Sequence, residues 1–244
     1  RRPVRRLGLK RFDARRGLLQ SAPSFIPAAR MPVCYQTCEV EWYLAMPLLL
    51  GDIVDALERL APPSLAEAWD SVGLQIGDLQ RRVESVWVAL DPGPDVVAAA
   101  CRFRADLLVT HHPLFFRPLQ RIETDSPLGT VIEQAVRHRL AIYCLHTNLD
   151  AAAGGLNDLL ARRLRLRRLR PLVPGGGSRE RRPEGLGRIG TLERAMRLSD
   201  QARQVKERLG AAAVRMAGDP DLRVKQVAVV TGSAASMVGA FLST

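Results

Sequence analysis

Three short apolar runs alternate with stretches of helical periodicity in the middle of the chain, and this alternation restricts the fold more than any other feature. The runs Val86 to Leu90, Leu107 to Thr110 and Ala141 to Leu145 are each bounded by turn-forming or polar residues, which is typical of buried strands. Residues 96–100 and 128–136 carry apolar side chains at helical spacing. We therefore expect an α/β fold with a layered, mainly parallel or mixed sheet and helices on both faces.

Helical and strand patterns also flank this central region. One helix is predicted from Gly51 to Leu60, with Asp52 as its N-cap, and another from Leu156 to about Leu164. Further along, a helix capped by Ser199 and a strand from Val227 to Val230 are expected. These later elements indicate a second, similar α/β half that is incomplete.

Composition along the chain suggests four segments. Residues 1–45 are rich in arginine and lack a sustained apolar period, so we expect a disordered or non-native extension, with an organelle-targeting leader as the alternative. Residues 46–170 form the first α/β half and carry the metal motifs. Residues 171–187, rich in glycine, proline and charge, are expected to be a flexible linker, and residues 188–244 begin the second half.

Composition also bears on whether the chain crosses a membrane and in which compartment it occurs. The chain has 244 residues, of which 47% are hydrophobic, enough to bury a core of its own. No apolar run approaches the roughly 18 residues that cross a bilayer, so no membrane span is expected. Four cysteines suggest no secreted disulfide framework. Cys34 and Cys38 resemble half of a zinc knuckle but have no second pair at ligand spacing, so ordinary thiols in the cytoplasm are the better interpretation.

The net charge of +11 raises the question of nucleic acid binding. The excess of basic residues lies in residues 1–45 and 161–208, whereas residues 46–160 carry more acidic than basic side chains. Binding through the arginines between Arg162 and Arg208 is one hypothesis. No aromatic residues interleave with those arginines to stack on bases, so this is the weakest of the functions considered.

The most informative motif is a strand that runs directly into two consecutive histidines and a proline. In a regular strand His111 and His112 would point to opposite faces, so both can reach one site only if the chain leaves the sheet there. Pro113 favours such an exit because it cannot donate a ladder hydrogen bond. The alternative is a pair of ordinary surface histidines.

A second polar cluster, His146-Thr147-Asn148-Leu149-Asp150, follows the next predicted strand. Ligand sites in open α/β sheets lie at the carboxyl ends of the strands, so the two clusters are expected to meet. Imidazole and carboxylate ligands together suit Zn, Mn, Fe, Co or Ni. Asp150 alone could instead cap a helix, and His146 could be an acid/base group, a positioning group or a structural residue.

The ordered motifs resemble those of one family. Residues 65–74 (LAEAWDSVGL), 110–116 (THHPLFF) and 146–150 (HTNLD), followed by Gly154 to Asn157, are similar to the NIF three-like family, also described as GTP cyclohydrolase I type 2-like. The resemblance extends from about Met46 to about Ser236. Its landmarks occur in the family's order, which makes it far more specific than any single motif.

The resemblance implies a dinuclear metal centre, with two divalent ions, in a toroidal homohexamer. The family's ligands map onto His111, His112 and Asp150, and the family takes a further His and Glu from a segment near its carboxyl terminus. This chain has no histidine after His146 and no glutamate after Glu207. We therefore expect the chain to contain the first part of the site only and to hold metal weakly.

A complete site of this kind predicts hydrolysis. Two metal ions can activate a bridging water for attack on a phosphoester or nucleotide-like substrate. Asp150 would be the bridging carboxylate, His111 and His112 would each bind one ion, and His146 would be the catalytic proton shuttle. The alternative is a hexamer that carries metal or acts as a scaffold without turnover.

Overall fold

The computed structural model describes residues 10–13, 18–21, 48–175, 184–234 and 237–242. Within it, the chain forms two compact units. The first comprises residues 1–59 and 69–146, and the second comprises residues 60–68 and 147–244. Among the helices of the described ranges, none is long and apolar enough to cross a membrane.

The first unit contains a six-stranded mixed sheet. Its centre is three parallel strands in the order β4-β5-β6, with an antiparallel strand β3 beside β6 and an antiparallel pair, β1 and β2, beside β4. The strands are β1 Lys10–Asp13, β2 Leu18–Ser21, β3 Gly73–Ile76, β4 Ser85–Ala89, β5 Leu107–Thr110 and β6 Ala141–Cys144. The α/β class and the three central strands predicted from the sequence are confirmed.

Helices cover this sheet because its central strands are apolar on both faces, as is usual for parallel strands. On one face, Leu108 and Ile142 pack with Val97 and Val131 from two helices, α2 (Pro94–Arg102) and α3 (Pro127–Arg137). On the other face, Gly77 lies close to Ala141 and to Leu50 of helix α1 (Leu50–Leu60).

Two local expectations for this unit are corrected. Asp52 lies in the first turn of α1 rather than before it, and its Oδ2 accepts a hydrogen bond from the Leu49 N–H at 3.0 Å, as in one half of a capping box. Strands β1 and β2 fall within residues 1–45, which we expected to lie outside the fold. Because β4 would otherwise expose unpaired backbone groups, the pairing of β1 with β4 satisfies that edge. Most of residues 1–45 lie outside the described ranges.

The second unit is built on a three-stranded antiparallel sheet in the order β7-β8-β9. A short 3-10 turn at Pro63–Leu65 belongs to this unit and leads to residues that contact helix α4. Asn148 donates from Nδ2 to the Ala61 carbonyl at 2.7 Å, and Thr147 Oγ1 accepts from the Glu67 N–H at 3.0 Å. The elements are α4 Thr147–Ala151, α5 Leu156–Arg163, β7 Arg167–Pro174, β8 Gly185–Arg197, α6 Leu198–Leu209, β9 Arg223–Val229 and α7 Val238–Leu242.

Three expectations for this unit differ from the structure. The linker predicted at residues 171–187 is shorter, because Pro171–Pro174 and the first residues of β8 pair as strands; residues 176–183 lie outside the described ranges. Helix α6 begins at Leu198 after an Arg197 N-cap, so Ser199 is not the cap. The two units also differ in strand direction, because all three strands of the second sheet are antiparallel.

Candidate metal centre

The two adjacent histidines lie where β5 leaves the sheet. The backbone N–H groups of His111 and His112 still donate to the carbonyls of Ala89 and Leu90, at 3.3 and 2.9 Å, so the exit from β5 stays tied to the exit from β4. Thr110 Oγ1 donates to the His112 carbonyl at 2.8 Å. This local turn explains how neighbouring residues direct both imidazoles toward the same place, as the sequence predicted.

A third imidazole joins them. The ring centroid of His146, which follows β6, lies 5.1 Å from that of His111 and 5.6 Å from that of His112, and the first two rings are 5.2 Å apart. Ligand nitrogens of the three residues all lie within 4.8 Å of one another. The sequence assigned His146 a catalytic role, whereas the geometry also makes it a candidate metal ligand.

Hydrogen bonds orient all three rings through the same atom. The Nδ1 atom of His111 lies 2.8 Å from the Leu145 carbonyl, and the Nδ1 atoms of the other two rings lie close to carboxylate oxygens. A carbonyl can only accept, so Nδ1 of His111 carries the proton and Nε2 carries the lone pair. In metal sites an oxygen partner at one ring nitrogen commonly orients the other nitrogen toward the ion.

The carboxylate partners were missed by sequence reasoning. Asp91 Oδ1 lies 2.6 Å from His112 Nδ1, and Asp70 Oδ1 lies 2.9 Å from His146 Nδ1. Asp91 comes just after β4, so the strand-exit rule that found His111 could have found it too. No local pattern marks Asp70 as a histidine partner, because the two residues are 76 positions apart.

A buried thiol also lies beside the histidines. Cys144 Sγ is 3.2 Å from the His111 carbonyl, to which the thiol can donate. Burial raises the pKa of Cys144 to about 12, and the nearby Asp70 charge contributes to the increase. As long as no metal ion is bound, this thiol is therefore protonated at neutral pH.

An aromatic cleft opens next to His146. Trp69 and Phe116 are 60% and 54% exposed, and each places its ring centroid 6.0 Å from that of His146 with nearly perpendicular planes. The cleft has a volume of about 570 Å³ and is lined by residues 69–71 and 115–119. Exposed aromatic side chains that line one concave surface are typical of ligand sites.

Asp150 lies in the second unit and inside α4, so the alternative that it caps a helix start is wrong. Its Oδ1 accepts a hydrogen bond from Thr231 Oγ1 at 2.6 Å, and its backbone carbonyl accepts from Asn157 Nδ2 at 3.0 Å. Asn157 Oδ1 in turn accepts from the Thr231 N–H at 2.8 Å. Thr231 and Asn157 thus hold Asp150 in place, and its meeting with the histidine pair stays a prediction.

The arrangement of motifs corresponds to a known family. The sequence model of the family Duf34/NIF3 (NGG1p interacting factor 3) matches residues 48–244. The chain belongs to the Duf34/NIF3 family. The resemblance inferred from the motifs is therefore confirmed, and the three clustered histidines of this Duf34/NIF3 chain all fall within the matched range.

Individual relatives support this assignment. A GTP cyclohydrolase 1 type 2 homolog of Streptomyces coelicolor is 39% identical over 190 residues, which cover 77% of this chain and 66% of that protein. A homolog of the same name from Clostridium perfringens is 34% identical over 194 residues, covering 78% and 71%. The crystal structure of a Bacillus cereus protein related to NIF3 superposes with a TM-score of 0.72 at 26% identity, covering 82% of this chain and 80% of that one. The Duf34/NIF3 chain thus spans about two thirds of its Streptomyces relative.

The donor set of this Duf34/NIF3 chain can hold a metal ion. Three imidazoles with ligand nitrogens within 4.8 Å match the preference of Zn, Mn, Fe, Co and Ni for nitrogen donors. They do not match Mg or Ca, which prefer oxygen. The cluster therefore has the donor atoms that a transition-metal ion prefers.

Proposed function

We propose that this chain carries the first part of the metal centre of a metal-dependent hydrolase that acts on a phosphoester or nucleotide-like substrate. The observation that carries the proposal is the group of three imidazoles, each with Nδ1 beside an oxygen and with ligand nitrogens within 4.8 Å. The same proposal includes two divalent ions and a homohexameric assembly, which the family resemblance implies. It also includes a cytoplasmic location.

The residues have separate roles in this proposal. His111, His112 and Asp150 are the metal ligands. A metal ion held by these residues would supply a water of lowered pKa for the hydrolysis. His146 is the proton shuttle: the carboxylate of Asp70 beside Nδ1 orients the ring, and Nε2 is the atom that takes up and releases the proton.

The aromatic cleft supports the substrate class. A planar base can stack on exposed aromatic side chains such as Trp69 and Phe116, and base stacking contributes about 1–3 kcal/mol per base in proteins that bind single strands. Arg117 lines the same cleft and can pair with a phosphate. A nucleotide bound there would have its phosphoester near His146, since both aromatic rings contact that imidazole.

The test is turnover by purified protein supplied with Mn, Zn, Co, Ni or Fe(II). We expect hydrolysis of bis(p-nitrophenyl) phosphate or of a nucleoside monophosphate, and we expect His112→Ala to abolish it. His138→Ala is the matched control, because His138 is exposed at the C-cap of α3 and its Nδ1 lies 3.0 Å from the Gln134 carbonyl, outside the histidine cluster. This variant should retain the activity of the unmodified protein.

Two outcomes would contradict the proposal. Tight, stoichiometric metal binding that depends on His112 but supports no turnover across these substrates would favour the non-catalytic carrier or scaffold. Metal binding that survives both His111→Ala and His112→Ala would place the ions elsewhere in the chain.

A further inference from the structure

The basic segment between residues 161 and 208 surrounds a cavity that the proposed hydrolase does not use. This cavity lies within the second unit, has a volume of about 500 Å³ and shares no residue with the histidine cluster. Four of its eight lining residues are arginines, and one is a glutamate. These five are Arg165, Arg167, Arg194, Arg208 and Glu193.

Different elements contribute the four arginines that line this cavity. Arg165 follows α5, Arg167 begins β7, Arg194 lies in β8, and Arg208 is in the last turn of α6. Arg165 and Arg208, the two that are farthest apart in sequence, are separated by 43 residues. The basic lining therefore depends on the folded second unit. A cavity formed in this way is a built feature of the fold rather than a run of charge on one helix.

Part of this lining is held in place. Arg208 donates from Nη1 to the Leu164 carbonyl, and its own backbone carbonyl accepts from Arg163 Nε at 2.8 Å, so the ends of α5 and α6 are tied together. Arg167 lies 3.3 Å from Glu193. Both side chains of that pair are well exposed, so the pair is screened and can be opened by a competing anion at little cost.

The charge of the lining is unbalanced. Guanidinium groups stay protonated at all physiological pH values, so the repulsion among them cannot be relieved by losing a proton. One glutamate offsets one of the four charges. An anion that binds several arginines at once would remove the remaining repulsion and form charge-assisted hydrogen bonds, which are stronger than neutral ones.

The dimensions and chemistry of the cavity select among anions. A volume of about 500 Å³ suits a small molecule rather than a duplex. No aromatic side chain is among the eight lining residues, so phosphates rather than bases would be recognised. The Gln204 side chain is the remaining uncharged polar group in the lining.

We propose that this arginine-lined cavity binds a small anion that carries two or more phosphate groups. The site is separate from the candidate metal centre, and its occupation does not require metal or turnover. The occupant is a soluble small molecule that carries an oligophosphate or several phosphates, and nucleic acid is the competing ligand.

The experiment is calorimetric titration of the metal-free protein with inorganic tripolyphosphate at about 0.15 M salt, where surface charges are screened beyond about 8 Å. We expect saturable binding, with sulfate binding more weakly because it reaches fewer guanidinium groups. Arg194→Gln and Arg165→Gln should each weaken tripolyphosphate binding about tenfold or more, the typical loss for a charge-assisted hydrogen bond. Arg208 is left unchanged because it also ties α5 to α6.

Two controls separate this site from other effects. Arg215→Gln removes the same charge from an exposed position outside the cavity and should leave the affinity unchanged. His112→Ala should also leave it unchanged, so failure of the metal proposal and failure of this one give different results.

Three results would overturn the proposal. One is the absence of tripolyphosphate binding at this salt concentration. Another is an equal loss of affinity in Arg215→Gln, which would reduce the effect to net charge. The third is tighter binding of a single-stranded oligonucleotide that is lost in the cavity variants, which would make nucleic acid the ligand.

Discussion

Replacing Asp158 by asparagine should destabilise the second unit strongly, because Asp158 neutralises a fully buried arginine. Arg188 in β8 has no exposed surface, and its guanidinium donates to both carboxylate oxygens of Asp158, at 2.8 and 3.0 Å. The same group also donates to the carbonyls of Gly185, Gly187 and Ala152, at 2.6, 2.7 and 3.1 Å. An asparagine at position 158 would leave this positive charge in the interior without a counter-charge.

The magnitude follows from the burial of the pair. Removing one partner of a buried ion pair costs about 3–5 kcal/mol, because the remaining charge is neither paired nor hydrated. For a chain of this length, each kcal/mol lowers Tm by roughly 2–4 °C, so a fall of roughly 6–20 °C is expected. By contrast, Asp221→Asn removes an exposed partner of Arg197 at 3.4 Å and should cost less than about 1 kcal/mol.

The assay is urea unfolding followed by far-UV circular dichroism, with tryptophan fluorescence recorded in parallel. All three tryptophans precede residue 147, outside the second unit, so fluorescence follows the first unit and circular dichroism follows both. The double change of Arg188→Met with Asp158→Leu should recover most of the lost stability, because it removes both charges. An Asp158→Asn variant no less stable than Asp221→Asn would refute the reasoning.

The same pair predicts how stability depends on pH. Burial alone would raise the pKa of Asp158, but hydrogen bonds from Arg188 and the Gly154 N–H, with the charges of Arg188 and Arg162, lower it below its ordinary value. A carboxyl whose pKa is lowered in the folded state contributes stability that is present above its unfolded pKa of about 3.9. This contribution is lost as the pH falls through the folded pKa. In Asp158→Asn the corresponding part of the acid transition should be missing.

Two further predictions concern the site itself. Thr231→Val should weaken metal binding about 10–100-fold if Asp150 is a ligand, since it removes the hydroxyl that donates to Oδ1, and Thr231→Ser should restore the affinity in calorimetry. If Thr231→Val and Thr231→Ser bound metal with equal affinity, the Thr231 hydroxyl would have no part in metal binding. Cys144, with its pKa raised to about 12, should resist iodoacetamide at pH 8 in the folded protein and react after unfolding. Peptide mapping by mass spectrometry measures the modification. Rapid modification of Cys144 in the folded protein would contradict the burial of its side chain.

The amino-acid sequence determined the central strands of the first sheet and the place where the candidate metal ligands lie. β5 and β6 are buried on both faces, so they appear as continuous apolar runs that can be recognised locally. His111, His112 and His146 follow those strands directly, and the carboxyl ends of parallel strands share one edge of a sheet. These conclusions needed only local pattern and the geometry of parallel pairing.

Other strands could not be recognised in this way. β3 is four residues long and lies at an antiparallel edge. β7 carries arginines at three of its eight positions, and β8 contains the buried Arg188, so both resemble polar connecting segments. Arg188 can occupy a strand interior because Asp158, 30 residues earlier, neutralises it. That compensation is non-local, and composition at either position does not reveal it.

Tertiary structure alone also decided which groups orient the histidines and which arginines surround the second cavity. Asp70 and His146 lie 76 residues apart, and Thr231 and Asp150 lie 81 residues apart, yet each pair forms a hydrogen bond of 2.9 Å or less. A local sequence pattern cannot predict a contact between two residues that are so far apart in the chain. They meet only because packing and strand pairing bring their backbones within the reach of a side chain, and this depends on the whole unit rather than on any one segment.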